Sequence, residues 1–257
     1  RNTMFRVTSN ILGQAQITVQ QDQTSWKAFL GRDSSAATVT LRPGTTVRAY
    51  DGVYGEAEFV LAYGVASCTI GAACRINKDF STTLGTATTR GAIGIAMSAN
   101  TDTAALSWYA IRGQVPVGAS TVAIDLPLYL VASAGLLTSG VTATNQVTGC
   151  VSTLAASGTV CTKVGSTSLL SLRNLTVPDT DGLYVGMAVT GTGVGSAAKI
   201  SAIGQGGLFL GQTGNPQPGN ITVTVDSTAT GTVTLSFVHP AAWCTAHLMY
   251  PVASHLG

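Results

Sequence analysis

Few residues in this chain are suited to chemistry. Its two glutamates, Glu56 and Glu58, stand two apart at a turn-to-strand junction. On a strand that spacing turns both side chains to one face. Paired carboxylates can hold a metal or share acid–base work, but here they read better as a solvated or interface-facing pair. The three histidines, His239, His247 and His255, are spaced by eight with Pro240 after the first, which fits no ligand motif. Gly191-Thr192-Gly193-Val194-Gly195 has the glycines of a phosphate loop, but such a loop must open a helix whose amides face the anion. A strand-like run follows instead, so this segment reads as a β-turn. Gly195-Ser196 lacks the second glycine of a nucleophile elbow. Nothing in the sequence points to the histidine-paired, electropositive setting that a cysteine nucleophile requires. The expectation is a protein that is not an enzyme, with no catalytic residue, no cofactor and no metal.

The five cysteines leave two readings open. Cys68 and Cys74 flank a short Gly-Ala turn, Cys150 and Cys161 bracket a hairpin, and Cys244 is left over. An extracellular disulfide framework is usually even in number and denser. Buried thiols made in a reducing cytoplasm are the first reading, and disulfides at Cys68–Cys74 or Cys150–Cys161 are the second.

Composition bounds the class. Hydrophobic residues make up 45% and charged residues 9%, against about 25% charged in an average globular protein. A chain with this balance can build a core, unlike a disordered one. Nearly a quarter of the residues are Ser or Thr, and the 30 glycines supply turns between short strands. An exterior so poor in charge suits a protein packed against others better than a free monomer. The net charge of +2 lacks the clustered lysines and arginines of a nucleic-acid footprint. The longest apolar stretches, such as 123–131 with its Asp125 and Pro127, fall short of the roughly 20 residues of a membrane span. No secretory signal core is visible at the start.

The elements that such residues would stand on are strands. Residues 37–41 and 45–50 alternate with period two around Arg42-Pro43-Gly44, and Asp51-Gly52 is a turn signal. Further strands are expected at 58–63, 73–77, 92–97, 106–112, 121–131 and 146–154. A second set covers 184–189, 199–203, 208–210, 221–225 and 232–237, and 242–251 reads as one more. No segment keeps helical periodicity over three turns. The expected fold is all-β: a β-sandwich or barrel-like main domain of short antiparallel strands (31–165 plus 239–257), with an inserted smaller β domain (166–238). Residues 1–30 are expected to form an N-terminal arm lying along another subunit. The interface candidates are Phe5, Val7, Ile11, Ile17 and Val19 on the arm, and Asn215, Pro216, Gln217 and Pro218 in the Pro/Gly-rich loop. Deleting residues 1–20 is expected to weaken attachment and spare the fold.

Three segments carry a resemblance: Arg90-Gly91-Ala92-Ile93-Gly94-Ile95-Ala96, Ser107–Val117 with its Gly113-Gln114-Val115-Pro116 core, and Leu126-Pro127-Leu128-Tyr129-Leu130. They resemble tailed-bacteriophage capsid decoration, or cement, proteins. The run from Tyr184 to Val194, with 199–203 and 221–237, is similar to a small β module recurrent in phage structural proteins. The resemblance implies a virion protein assembled in the host cytoplasm. It would bind the outside of an icosahedral head and bridge major capsid protein subunits as a trimer or dimer, with no nucleic-acid or membrane partner. The alternatives are a tail or fibre structural protein, and a cellular adhesin or carbohydrate-binding module that stacks Trp26, Trp108 or Trp243 on sugars.

Overall fold

The computed structural model describes residues 5–8, 42–101, 103, 105–140, 145–155, 157–168, 173–204 and 219–255. The chain is all-β, with no helix among the described residues. Its contacts divide it into two compact units, Phe5–Ala156 with Ala242–Gly257, and Ser157–Ala241.

The larger unit is an 11-stranded, near-closed, barrel-like sheet. Its strands are β1 (Arg6–Val7), β2 (Thr46–Asp51), β3 (Gly55–Tyr63), β4 (Ala73–Ile76), β5 (Thr82–Leu84) and β6 (Gly91–Ala96). They are followed by β7 (Leu106–Gly118), β8 (Pro127–Leu130), β9 (Leu137–Thr138) and β10 (Asn145–Leu154). The eleventh, the strand Trp243–His255, comes after the second unit in the chain. The main path runs β1-β2-β3-β7-β6, then Trp243–His255, then β10-β8-β9, with β4 and β5 branching from β6.

Period-two alternation sets which side chains enter the core. On β2, Val47 and Ala49 are buried while Thr46, Arg48 and Tyr50 face out. Asp51 ends the strand inside: its Oδ1 accepts from the backbone N–H of Val53 at 2.8 Å and of Tyr54 at 3.1 Å. That Asx-type contact builds the β2–β3 turn where Asp51-Gly52 signalled one. Phe59, Leu61, Trp108, Ile93, Ile95 and Leu248 fill the interior. The apolar run at 121–131 yields only β8, because Asp125 adopts φ 60° and the ladder starts at Pro127.

In the second unit the strands are β11 (Thr159–Thr167), β12 (Asn174–Val177), β13 (Ala188–Thr190), β14 (Ile200–Gly204), β15 (Gly219–Val223) and β16 (Gly231–Val238); the strand Trp243–His255 is β17. The six form one sheet in the order β13-β16-β11-β12-β15-β14. Its two end strands meet through a bridge between Ala188 and Lys199, reinforced by Val189 N–H donating to Ala198 C=O at 2.9 Å. The sheet therefore closes on itself, which removes its open edges. Leu175, Met187, Val189, Ile200, Ile221, Leu235 and Phe237 fill the centre. The unit begins at Ser157 because β11 pairs along its length with β16, from Thr159–Val238 to Thr167–Gly231. Residues 159–165, expected from sequence in the main domain, thus belong to the smaller unit.

Candidate functional site

The residues singled out for chemistry stand apart from one another. Glu56 and Glu58 do share the outer face of β3. Glu56 lies 3.8 Å from the Arg48 guanidinium with both side chains mostly exposed, a pairing worth little. Glu58 accepts a hydrogen bond from the Tyr250 hydroxyl at 3.2 Å. His247 is exposed on β17, whereas His239 is buried in the smaller unit. Its Nδ1 lies 2.6 Å from the Tyr184 hydroxyl, and burial lowers its pKa to about 4. Gly191 to Gly195 forms a turn, with Val194 N–H donating to Gly191 C=O at 3.1 Å. Among the described residues, no three His, Cys, Asp or Glu side chains converge as metal ligands. On the smaller unit, a shallow depression of about 220 Å³ is lined by Val164, Ser166, Thr176, Pro178 and Thr232. It is smaller than the roughly 300 Å³ at which ligand clefts begin.

All five cysteines are thiols. Cys68 and Cys74 are buried in the large unit with their sulfurs 3.7 Å apart. Cys150 is buried in the same unit, where burial first and the charge of Cys244 second push its pKa up. Burial pushes Cys244 up to about 12. Cys161 sits on β11 of the smaller unit.

Of the arm candidates, Phe5 is only 1% exposed. Its ring stacks on Tyr54 at 6.0 Å between centroids and meets Phe59 edge-on at 4.9 Å. This corrects its assignment to an interface: the side chain is part of its own unit's core. Val7 lies on β1, which pairs with β2 through Arg6–Tyr50 and Val7–Ala49. Ile11, Ile17, Val19, Asn215, Pro216, Gln217 and Pro218 lie outside the described residues. So does Trp26, while Trp108 is fully buried and Trp243 part-buried.

The feature with the character of a binding surface is the outer face of the large sheet. Arg48 on β2 pairs with Glu58 on β3, Glu58 with Arg112 on β7, and Arg112 with Met249 on β17. This row crosses four strands with alternating charge and ends on an apolar side chain. Around it Met249 is 63% exposed, Tyr250 53%, Tyr50 49% and Val252 44%. Exposed large apolar side chains clustered on one face mark an interaction site more often than scattered ones do.

A bulge produces the apolar end. On β10 and β17, Thr148 pairs with Val252 and Cys150 with Leu248. Gly149 alone therefore stands opposite Met249, Tyr250 and Pro251. Gly149 takes φ 77° and Tyr250 φ 48°. Pro251, which has no N–H for a ladder, sits where the ladder is interrupted. Across this bulge β17 changes neighbour, from β7 at Met249 to β6 at Val252. Bulges re-aim side chains, and this one turns Met249 and Tyr250 outward together. The sequence of 242–251 reads as a plain strand and does not reveal the outward pair, because the residue that permits the bulge lies on another strand.

In comparisons with protein-family models, curated proteins and solved structures, nothing matches this chain.

Proposed function

We propose that this chain is a structural protein of a virus particle that binds the outside of an icosahedral phage head and stabilises it by bridging major capsid subunits. The observation that carries the reading is the outward face of the large sheet, where Met249, Tyr250, Tyr50 and Val252 surround the Arg48–Glu58–Arg112 row. Aromatic residues, Met and Arg are the types enriched at interface centres. A chain with 9% charged residues exposes little charge to resist such packing. A patch of a few exposed apolar side chains binds modestly in one copy. On a lattice, an oligomer that engages several subunits at once multiplies modest contacts into stable attachment. The resemblance of 90–96, 107–117 and 126–130 to cement proteins points the same way. A structural role also accords with the wide scatter of the carboxylates and histidines.

The test is the stoichiometry of this chain, by quantitative mass spectrometry, in purified particles from cells that produce it. A ratio to the major capsid protein between about one-third and one supports the proposal. A few dozen copies or fewer per particle would reassign it to a tail or fibre, and absence from particles would overturn a virion role.

A further inference from the structure

The large unit holds two cysteines brought together by a loop that nothing in the binding surface requires. Cys68 lies in the segment between β3 and β4 and bridges Asn100, whose N–H donates to the Cys68 carbonyl at 2.9 Å. The chain then turns back. Ala72 N–H donates to Thr69 C=O at 3.1 Å, and Gly71, at φ 81°, donates to Ala96 C=O at 2.7 Å. Cys74 follows on β4, paired with Leu84 on one side and Gly94 on the other. Both ends of the turn are thus pinned to neighbouring backbone. The two sulfurs are in hydrogen-bond contact at 3.7 Å within a cluster of Val60, Ala62, Ala72, Ala96 and Tyr109.

We propose that Cys68 and Cys74 form a redox site that closes to an intramolecular disulfide with a peroxide as oxidant. A disulfide needs its sulfurs at about 2.05 Å, so the pair closes by an approach of under about 2 Å, with the backbone already holding both residues. The two thiols are not equivalent. The hydrogen bond from Cys74 lowers the pKa of Cys68 most, and Asn100 adds to this against the opposing effect of burial. Cys74 is raised, by its hydrogen bond to Cys68 first and then by burial and by the charge of Cys68. Cys68 is buried like Cys74 but lies nearer the surface along the chain. It is 2% exposed and lies between Ser67 and Thr69, both exposed, with Ser67 at φ 62°. The thiolate is the nucleophile, which makes Cys68 the first to react. Its sulfur attacks one peroxide oxygen, the O–O bond breaks, and the released hydroxide takes a proton to leave as water, giving a sulfenic acid at Cys68. The Cys74 sulfur then attacks the Cys68 sulfur. The S–O bond breaks, and the hydroxyl departs as a second water with the proton from Cys74. Two thiols are oxidised by two electrons, and one peroxide is reduced to two waters.

The full chain is treated with hydrogen peroxide under native conditions, then denatured and alkylated. The expected product is lighter by about 2 Da before alkylation and carries two fewer alkylated thiols of the five. An unreduced peptide should join Cys68 to Cys74, and dithiothreitol should reverse it. A variant with Cys150, Cys161 and Cys244 all replaced by Ser should still lose about 2 Da. Cys74→Ser should stop at a sulfenic acid on Cys68 that dimedone traps. Wild type and the triple variant suffice if Cys74→Ser fails to fold. Five alkylatable thiols after treatment, a sulfinic acid at Cys68 without a cross-link, or a cross-link through another cysteine would each overturn the site.

Discussion

The hydroxyl of Tyr184 and Nδ1 of His239 lie 2.6 Å apart inside the smaller unit, with Tyr184 2% and His239 1% exposed. Burial holds the imidazole neutral, with a pKa lowered to about 4 from an ordinary 6.5. The unfolded chain therefore binds more protons than the folded one between those values, so stability must fall as pH drops from about 6.5 to about 4. The loss is of order 3 kcal/mol for a shift of this size. Thermal unfolding across that window should show a decline that His239→Gln flattens. A variant with an unchanged acid slope would show that His239 does not govern it.

Phe5 should behave as a core residue. Phe5→Ala removes the ring held between Tyr54 and Phe59, and such truncations cost about 3–5 kcal/mol. Chemical denaturation should register that loss. A chain shortened by its first eight residues should be destabilised comparably, since it loses Phe5 and the β1–β2 pairing together. The deletion of residues 1–20 therefore does not separate attachment from folding, contrary to the expectation from sequence.

Gly149 is required for two separable reasons. A Cβ there would lie 2.5 Å from the Met249 carbonyl oxygen, and its φ of 77° already disfavours other residues. Gly149→Ala should cost more than about 2 kcal/mol. Gly55 serves as the comparison, with φ 80° and nothing within 4 Å of an added Cβ. Gly55→Ala should cost only about 1 kcal/mol, and equal losses at both sites would dismiss the steric part.

Met249→Glu with Tyr250→Ser should leave stability within about 0.5 kcal/mol per exposed site and reduce attachment to expanded heads at least about tenfold. Sedimentation of variant and wild type with emptied heads gives the comparison. Undiminished binding by a folded double variant would remove the β17 bulge from the proposed surface.

Local pattern carried much of the architecture. β2 and β16 alternate so regularly that their existence and facing were legible, and the Asp51-Gly52 turn followed from turn chemistry. β11 was not legible as part of the smaller unit: Thr159–Thr167 is largely polar and acquires its place by pairing with residues 231–238. The run at 121–131 misled in the opposite way, since apolar content alone does not show that the ladder begins only at Pro127, after Asp125 turns the chain at φ 60°. The Cys68–Cys74 approach was visible in the spacing. The outward pair Met249–Tyr250 was not, because its geometry depends on Gly149, about a hundred residues earlier, and on register among four strands. Phe5 was misplaced because nothing local reveals that Tyr54 and Phe59 enclose it.

The position of β17 has a consequence for how the chain comes off the ribosome. This strand pairs with β10, β7 and β6, in the middle of the large sheet, yet it is synthesised after the whole of Ser157–Ala241. The smaller unit has all its strands, and the means to close its own sheet, while the larger one still lacks a central member. During that interval the facing edges of β7 and β10 stay unpaired, and they are open to any strand that reaches them first. A nascent chain stalled before residue 243 should therefore be protected from protease across its later part and cleaved readily in its earlier part, so that the two units mature in the reverse of their order of appearance.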